Sequence, residues 1–214
     1  AAKNAKQSQG GVTYNFQQNK YTQIKTTLYG VNRSLYNAIP GRVIDLERNA
    51  GGLRVTLDKK FQLFEKNINW LTGSDIELQK DRRQEWKNNG ISKEYSGLEP
   101  GKILENVETG DMLQKQDESV WNRSVFSEIE SNLTEKFAVT GGLRYDWFSF
   151  EVDDKLQSGG IDYSGNRTME NLSPMFSILY KILPLTSLYT LYSSAFQTPT
   201  TTELGNRPDD AGGF

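Results

Sequence analysis

The sequence predicts an all-β chain, an antiparallel up-and-down meander of about eight strands. Three observations carry this. Apolar and polar residues alternate with period two over long runs. Short and long links between those runs alternate along the chain. The 214 residues are only 36% hydrophobic yet 11% aromatic. That is too aromatic for a disordered chain, and too polar to fill a core of that size easily.

The clearest run is 137–150. Its odd positions hold Phe137, Val139, Leu143, Tyr145 and Trp147, and its even positions Thr140, Arg144 and Asp146. A helix here would scatter Arg144 and Asp146 around its surface and carry Gly141 and Gly142 at about 1 kcal/mol each. The same reading works upstream, where Val12, Tyr14 and Phe16 alternate with Thr13, Asn15 and Gln17. Ile24, Thr26 and Leu28 follow, then Leu53, Val55 and Leu57. Ile68, Trp70, Ile76 and Leu78 share a face opposite Asn67, Asn69, Asp75 and Glu77. Trp121, Val125 and Ile129 oppose Asn122, Ser124, Glu128 and Glu130, and Leu172, Phe176, Ile178 and Tyr180 oppose Ser173 and Ser177. In 186–196 the face assignment is ambiguous. Strands are expected near 9–18, 21–32, 50–61, 66–81, 119–131, 136–150, 170–181 and 186–196.

The links sharpen the class. Asn19-Lys20, 62–65, 132–136 and 183–185 are short. Residues 33–49, 82–118, 151–169 and 197–214 read as long links, all at one end of a meander. Short turns at one end, long loops at the other and strands of ten or more residues are the pattern of an outer-membrane barrel. Only one face of such a wall meets lipid, so average hydrophobicity stays low, and Tyr, Trp and Phe form the interfacial girdles. An eight-stranded barrel complete in itself, such as a porin or adhesin, and a soluble β-sandwich binding module remain as alternatives.

The counts exclude several chemistries. The chain has no cysteine and no histidine. It therefore has no Cys or His zinc site, no Ser-His-Asp triad and no disulfide. A net charge of -2 suggests no nucleic-acid partner. No apolar run reaches the roughly 18–20 residues of a spanning helix. No catalytic set, cofactor or metal site is expected, and the chain is not read as an enzyme. Glu128 with Glu130 read as carboxylates of a wet strand face, since no second ligand cluster accompanies them, and Asp153 with Asp154 and Asp209 with Asp210 read as solvated loop acids rather than a calcium site, since neither has loop-ligand spacing.

Two segments resemble a known family. Residues 124–146 run from a strand through Leu133-Thr134-Glu135-Lys136 to Gly142-Leu143-Arg144-Tyr145-Asp146. They resemble a strand–turn–strand of TonB-dependent outer-membrane receptors. Residues 189–204, with Tyr189, Phe196, Pro199, Glu203 and Leu204, resemble a later segment of the same family, and Ser173-Pro174 fits the strand between. Ala195 and Gln197 stand where glycine and arginine are more usual. The resemblance is clear over about 119–206, and residues 1–118 fit by pattern alone. It implies a barrel of 22 strands, a plug domain, and TonB-driven uptake of a ferric siderophore or similar nutrient across a Gram-negative outer membrane. Residues 1–214 would then form part of the barrel, with open edges, contacting outer-membrane lipid and meeting TonB only through a plug domain that is not in this sequence. It further implies ligand recognition by cationic and aromatic groups of the outward loops: Arg33, Tyr36, Arg42 and Arg48; Arg82, Arg83, Trp86 and Tyr95; Tyr163 and Arg167. Arg144 and Asp146, on the polar strand face, are expected to face the lumen.

Overall fold

The computed structural model describes residues 2–90, 107–201 and 204. Eight strands form one antiparallel sheet in sequence order. They are β1 (Ala2–Asn19), β2 (Thr22–Ile39), β3 (Arg42–Leu63) and β4 (Lys66–Asn88), then β5 (Thr109–Asn132), β6 (Phe137–Asp154), β7 (Gly165–Leu183) and β8 (Thr186–Ser193). β1 and β8 each pair on one side only within the chain. Among the described residues no helix is long and apolar enough to cross a membrane, which has no bearing on strands.

All eight expected strands are present, and each short link falls where expected. The strands are much longer than expected at the other end. The region 33–49 is not a loop. Arg33 pairs with Arg48, Tyr36 with Asp45 and Ile39 with Arg42, closed by the two-residue turn Pro40-Gly41. Gly41 has φ 82°, the left-handed value that the third position of a Pro-Gly turn requires. Likewise β4 continues to Asn88 and β5 begins at Thr109, so the longest link is shorter than the expected 82–118. Asp153 and Asp154 close β6 rather than lying in a loop. The cause is physical. Alternation betrays a strand only where its two faces meet different solvents. Where both faces are wet, the backbone ladder continues under a sequence polar on both sides. The reverse holds at 194–196, which lies beyond β8.

The apolar face is continuous across strands. Val12, Leu28, Leu53 and Ile76 stand in register, as do Tyr14, Thr26, Val55, Ser74, Val125, Tyr145 and Leu172. The apolar and aromatic members of these rows are exposed, with Val125 and Leu172 each at 56%. On β4 the apolar face runs from Ile68 to Leu78 before Lys80 and Arg82 take over. Ten steps of about 3.3 Å, tilted by about 40°, give a band about 25 Å tall, the height of a barrel's lipid belt.

The other face is crowded. Asp75, Asp81, Glu118, Ser124, Asp146, Phe150 and Val152 are all buried on it, although the sheet is a single layer. Most of the buried side chains lie on this side, which marks it as the concave one. Two glycines there seat aromatic rings. A Cβ on Gly52 would lie 2.6 Å from the Tyr29 hydroxyl, and one on Gly73 would lie 2.7 Å from Phe126 Cζ.

The β3–β4 turn carries strain. Phe64 and Glu65 have φ of 48° and 61°, where glycine or asparagine is the usual occupant. Glu65→Gly should therefore stabilise the protein by about 1 kcal/mol, seen as a higher thermal unfolding midpoint. Gly52→Val should lower that midpoint by displacing the Tyr29 ring.

Candidate functional site

The candidate site is the concave face, built as rows of side chains in cross-strand register. Arg54 and Asp75 are direct partners on β3 and β4, and Ser124 and Asp146 extend the row on β5 and β6. Arg54 grips Asp75 through two bonds of 2.5 and 3.0 Å. Arg144 donates to Asp75 at 3.0 Å, to Ser124 at 2.8 Å and to Asp146 at 2.9 Å, with its guanidinium 5.9 Å above the Phe126 ring. Nearby, the Tyr29 hydroxyl donates to Glu77. Two planar guanidiniums and two carboxylates thus neutralise one another in fixed geometry.

Further rows toward the long-link end repeat the arrangement. Arg48 donates to Asp81 at 2.9, 3.2 and 2.6 Å, and Gln79 adds a fourth bond at 3.1 Å. Glu85, 2% exposed, accepts from both Arg42 at 2.9 Å and Arg83 at 2.6 Å. Glu118 is buried and accepts from Gln116 at 2.6 Å and from Thr201. The segment after β8 therefore turns back over the concave face, where Phe196 also meets Phe148 at 6.0 Å.

The sequence-derived candidates separate cleanly. Arg33, Arg42, Arg83 and Arg167 stand on strands, on the concave face by register. They are not loop residues. Tyr36 and Arg82 are also on strands but on the opposite face, where Arg82 meets Glu47 at 3.4 Å in an exposed pair. Trp86 is half-buried in the row Ala38–Val43–Trp86, where Ala38 and Val43 are fully buried. Tyr163 lies in the β6–β7 link, and its backbone N–H donates to Asp154. Tyr95, Asp209 and Asp210 lie outside the described residues. Arg144 and Asp146 share one face and bond to each other, as the alternation requires. Arg33 and Arg167 make no ion pair among the described residues. Glu128 and Glu130 line a cleft of about 220 Å³ with Asp58 and Lys60. Among the described residues no carboxylate group is arranged to hold a metal ion.

Sequence reasoning missed Arg54, Asp75 and the Tyr29–Glu77 pair. Each lay on a recognised polar face, but only register shows that Arg54 opposes Asp75. The two-residue turn at Phe64-Glu65 is the signal that fixes this register.

A single sheet with a lipid-height apolar belt outside and paired charges inside defines the wall of an outer-membrane β-barrel. The TonB dependent receptor-like, beta-barrel family matches residues 2–214, and the chain belongs to it. The family consists of Gram-negative outer-membrane transporters rather than enzymes. Among solved structures the chain is similar to the siderophore receptor PiuA of Acinetobacter baumannii, at 16% identity and TM-score 0.70, over 89% of this chain and 32% of that one. It is similar to the ferric citrate transporter FecA in its unliganded form, at 12% identity and TM-score 0.66, over 86% and 26%. It is also similar to the copper transporter OprC, at 17% identity and TM-score 0.65, over 92% and 32%. The chain therefore spans about a quarter to a third of these structures, and its eight strands match part of their barrels.

Asp75 is the shared acceptor of two arginines. In the intact receptor Asp75→Asn should destabilise by about 2–3 kcal/mol, since its side chain is 12% exposed. Arg54→Gln should cost about 1 kcal/mol or less, because that side chain is 58% exposed. Combining Asp75→Asn with Arg144→Gln should cost less than the sum. Denaturant unfolding of wild type, of the single variants Asp75→Asn, Arg54→Gln and Arg144→Gln, and of the double variant checks this.

Proposed function

We propose that this chain is part of the wall of a receptor that takes up a ferric siderophore or similar nutrient, driven by TonB acting on a plug domain. The concave face is then the lumen, and Arg144 and Asp146 are lumen-facing residues of its charge network. The observation that carries the reading is the imbalance of pairing on that face. Arg54, Arg48 and Arg144 are each satisfied by carboxylates, and Arg42 shares Glu85 with Arg83. Arg33 and Arg167 lie toward the long-link end with no carboxylate bound to them among the described residues. Forked donors that no carboxylate occupies suit a large anionic chelate. The family match supports the transport role, and the similar siderophore and ferric citrate structures support an iron-bearing ligand.

The test is genetic. Deletion of the gene should abolish growth on one ferric siderophore as sole iron source, and wild type should restore it. An Arg33→Ala/Arg167→Ala receptor, normally abundant in the membrane, should show about tenfold weaker uptake or worse. Unchanged growth on every iron source, with a defect under copper limitation instead, would replace iron with copper as the cargo.

A further inference from the structure

Residues 194–201 cross the concave face of the wall as a strap. β8 pairs with β7 as far as Ser193, and the Ser194 N–H adds one bond to the Pro174 carbonyl at 3.1 Å. The chain then leaves the sheet. Phe196 is half-buried and tilts onto Phe148 of β6, with ring centroids 6.0 Å apart. Thr201 is buried and donates its hydroxyl to Glu118 of β5. The strap thus passes three strand spacings, about 14 Å, from its root to its far end. There the Leu204 N–H closes a single helical turn on the Thr200 carbonyl at 3.0 Å.

The far end is held in an unusual way. Glu118 is 3% exposed and has no ion pair among the described residues. Its neighbour in register, Asp81, already takes Arg48. Neutral donors hold Glu118 instead: the Gln116 amide at 2.6 Å and the Thr201 hydroxyl. A buried carboxylate with neutral donors alone is costly, and either a hydroxyl or water relieves the cost. With the strap down the hydroxyl does so. With the strap lifted, water reaches the same oxygens. An arginine in place of Thr201 would oppose opening far more strongly. The hydroxyl leaves the two states close in free energy. The path matters too. Phe148 pairs with Met169, and Arg167 follows one row outward on β7, opposite Phe150. Glu118 lies a further row outward, opposite Val152. The strap therefore runs diagonally, with Arg167 on its outer side and the Arg144–Asp75 network on its inner side.

We propose that residues 194–201 form a gate across the lumen wall, latched by the Thr201 hydroxyl on Glu118. An anionic chelate held at Arg167 meets the strap on its way inward and passes when this bond opens. Glu118 is a positioning residue, which holds the strap and does not touch the chelate. The latch stands on its own geometry, whereas the passage of cargo rests on the transport reading of Arg167.

The test uses the intact receptor in living cells. Val152→Cys puts a thiol opposite Glu118, and its reaction with a membrane-impermeant maleimide reads how often the latch opens. Labelling should be slow with Thr201 in place. Adding Thr201→Val should speed it about tenfold or more. Adding Thr201→Ser, which keeps the hydroxyl, should leave it slow. In a second receptor, Glu118→Cys and Thr201→Cys are bridged by a short bis-thiosulfonate. The bridge should stop iron uptake from the source that the deletion strain loses, and reductant should restore it. Heat-modifiable migration should show that each variant folds. Labelling unchanged by Thr201→Val, or equally fast with Thr201→Ser, would overturn the latch. Undiminished uptake through the bridged receptor would overturn the gate. A deletion strain that loses no iron source, with labelling still sped by Thr201→Val, would overturn the transport reading and leave the latch standing.

Discussion

A peptide group in hydrocarbon has no water to bond, and an unpaired N–H or C=O there costs several kcal/mol. The rest of this structure depends on that constraint. It demands an unbroken ladder of cross-strand bonds, and the ladder demands strands long enough to pass the belt. A pleated strand then presents alternate residues to its two sides. With lipid on one side and water on the other, the sequence must alternate while averaging out polar. The low hydrophobic fraction and high aromatic content are therefore one fact rather than two in tension. The aromatic and aliphatic residues are concentrated on the convex side, and the arginines and carboxylates, with the exception of Arg123 and a few others, on the concave side.

The concave side has its own difficulty. Curvature crowds its side chains and buries Asp75, Asp81, Glu85 and Asp146 in a layer that ought to be wet. Buried carboxylates are tolerable only when paired. The registers answer this by setting Arg54 opposite Asp75 and Arg48 opposite Asp81, with Arg144 bridging strands β4 and β6. These bonds rigidify the wall without adding much net stability. The arginines left outside the pairings acquire their interest by contrast. Among the described residues, Arg33 and Arg167 on the concave side and Arg123 on the convex side are arginines with no hydrogen bond or ion pair.

Much of this was legible in the sequence, for a definite reason. Ile68, Trp70, Ile76 and Leu78 were readable as one face because lipid and water flank that stretch of β4. Arg144 and Asp146 were readable as neighbours because they are two residues apart on one strand. Asp75 was not readable as their partner, since that contact depends on registers spanning three strands. Arg33, Arg42, Arg82, Arg83 and Trp86 were misplaced in loops because beyond the belt water lies on both sides and the alternation vanishes while the ladder persists. Pro40-Gly41 carried the needed information. A two-residue turn there forces Ile39 against Arg42 and fixes every pair from there down to Thr22 and Lys59.

The central claim is that the two faces of one strand meet different solvents, lipid on the odd side of β6 and the lumen on the even side. The 214 residues contain no cysteine, so single cysteines can be placed along this wall. Spin labels at positions 143 to 147 of the intact receptor in bilayers, probed for collision with oxygen and with a polar nickel chelate, measure the claim directly. The account predicts period-two behaviour, with oxygen favoured at 143, 145 and 147 and the polar reagent favoured at 144 and 146. Equal access of the polar reagent to both sets, or the opposite phase, would contradict it.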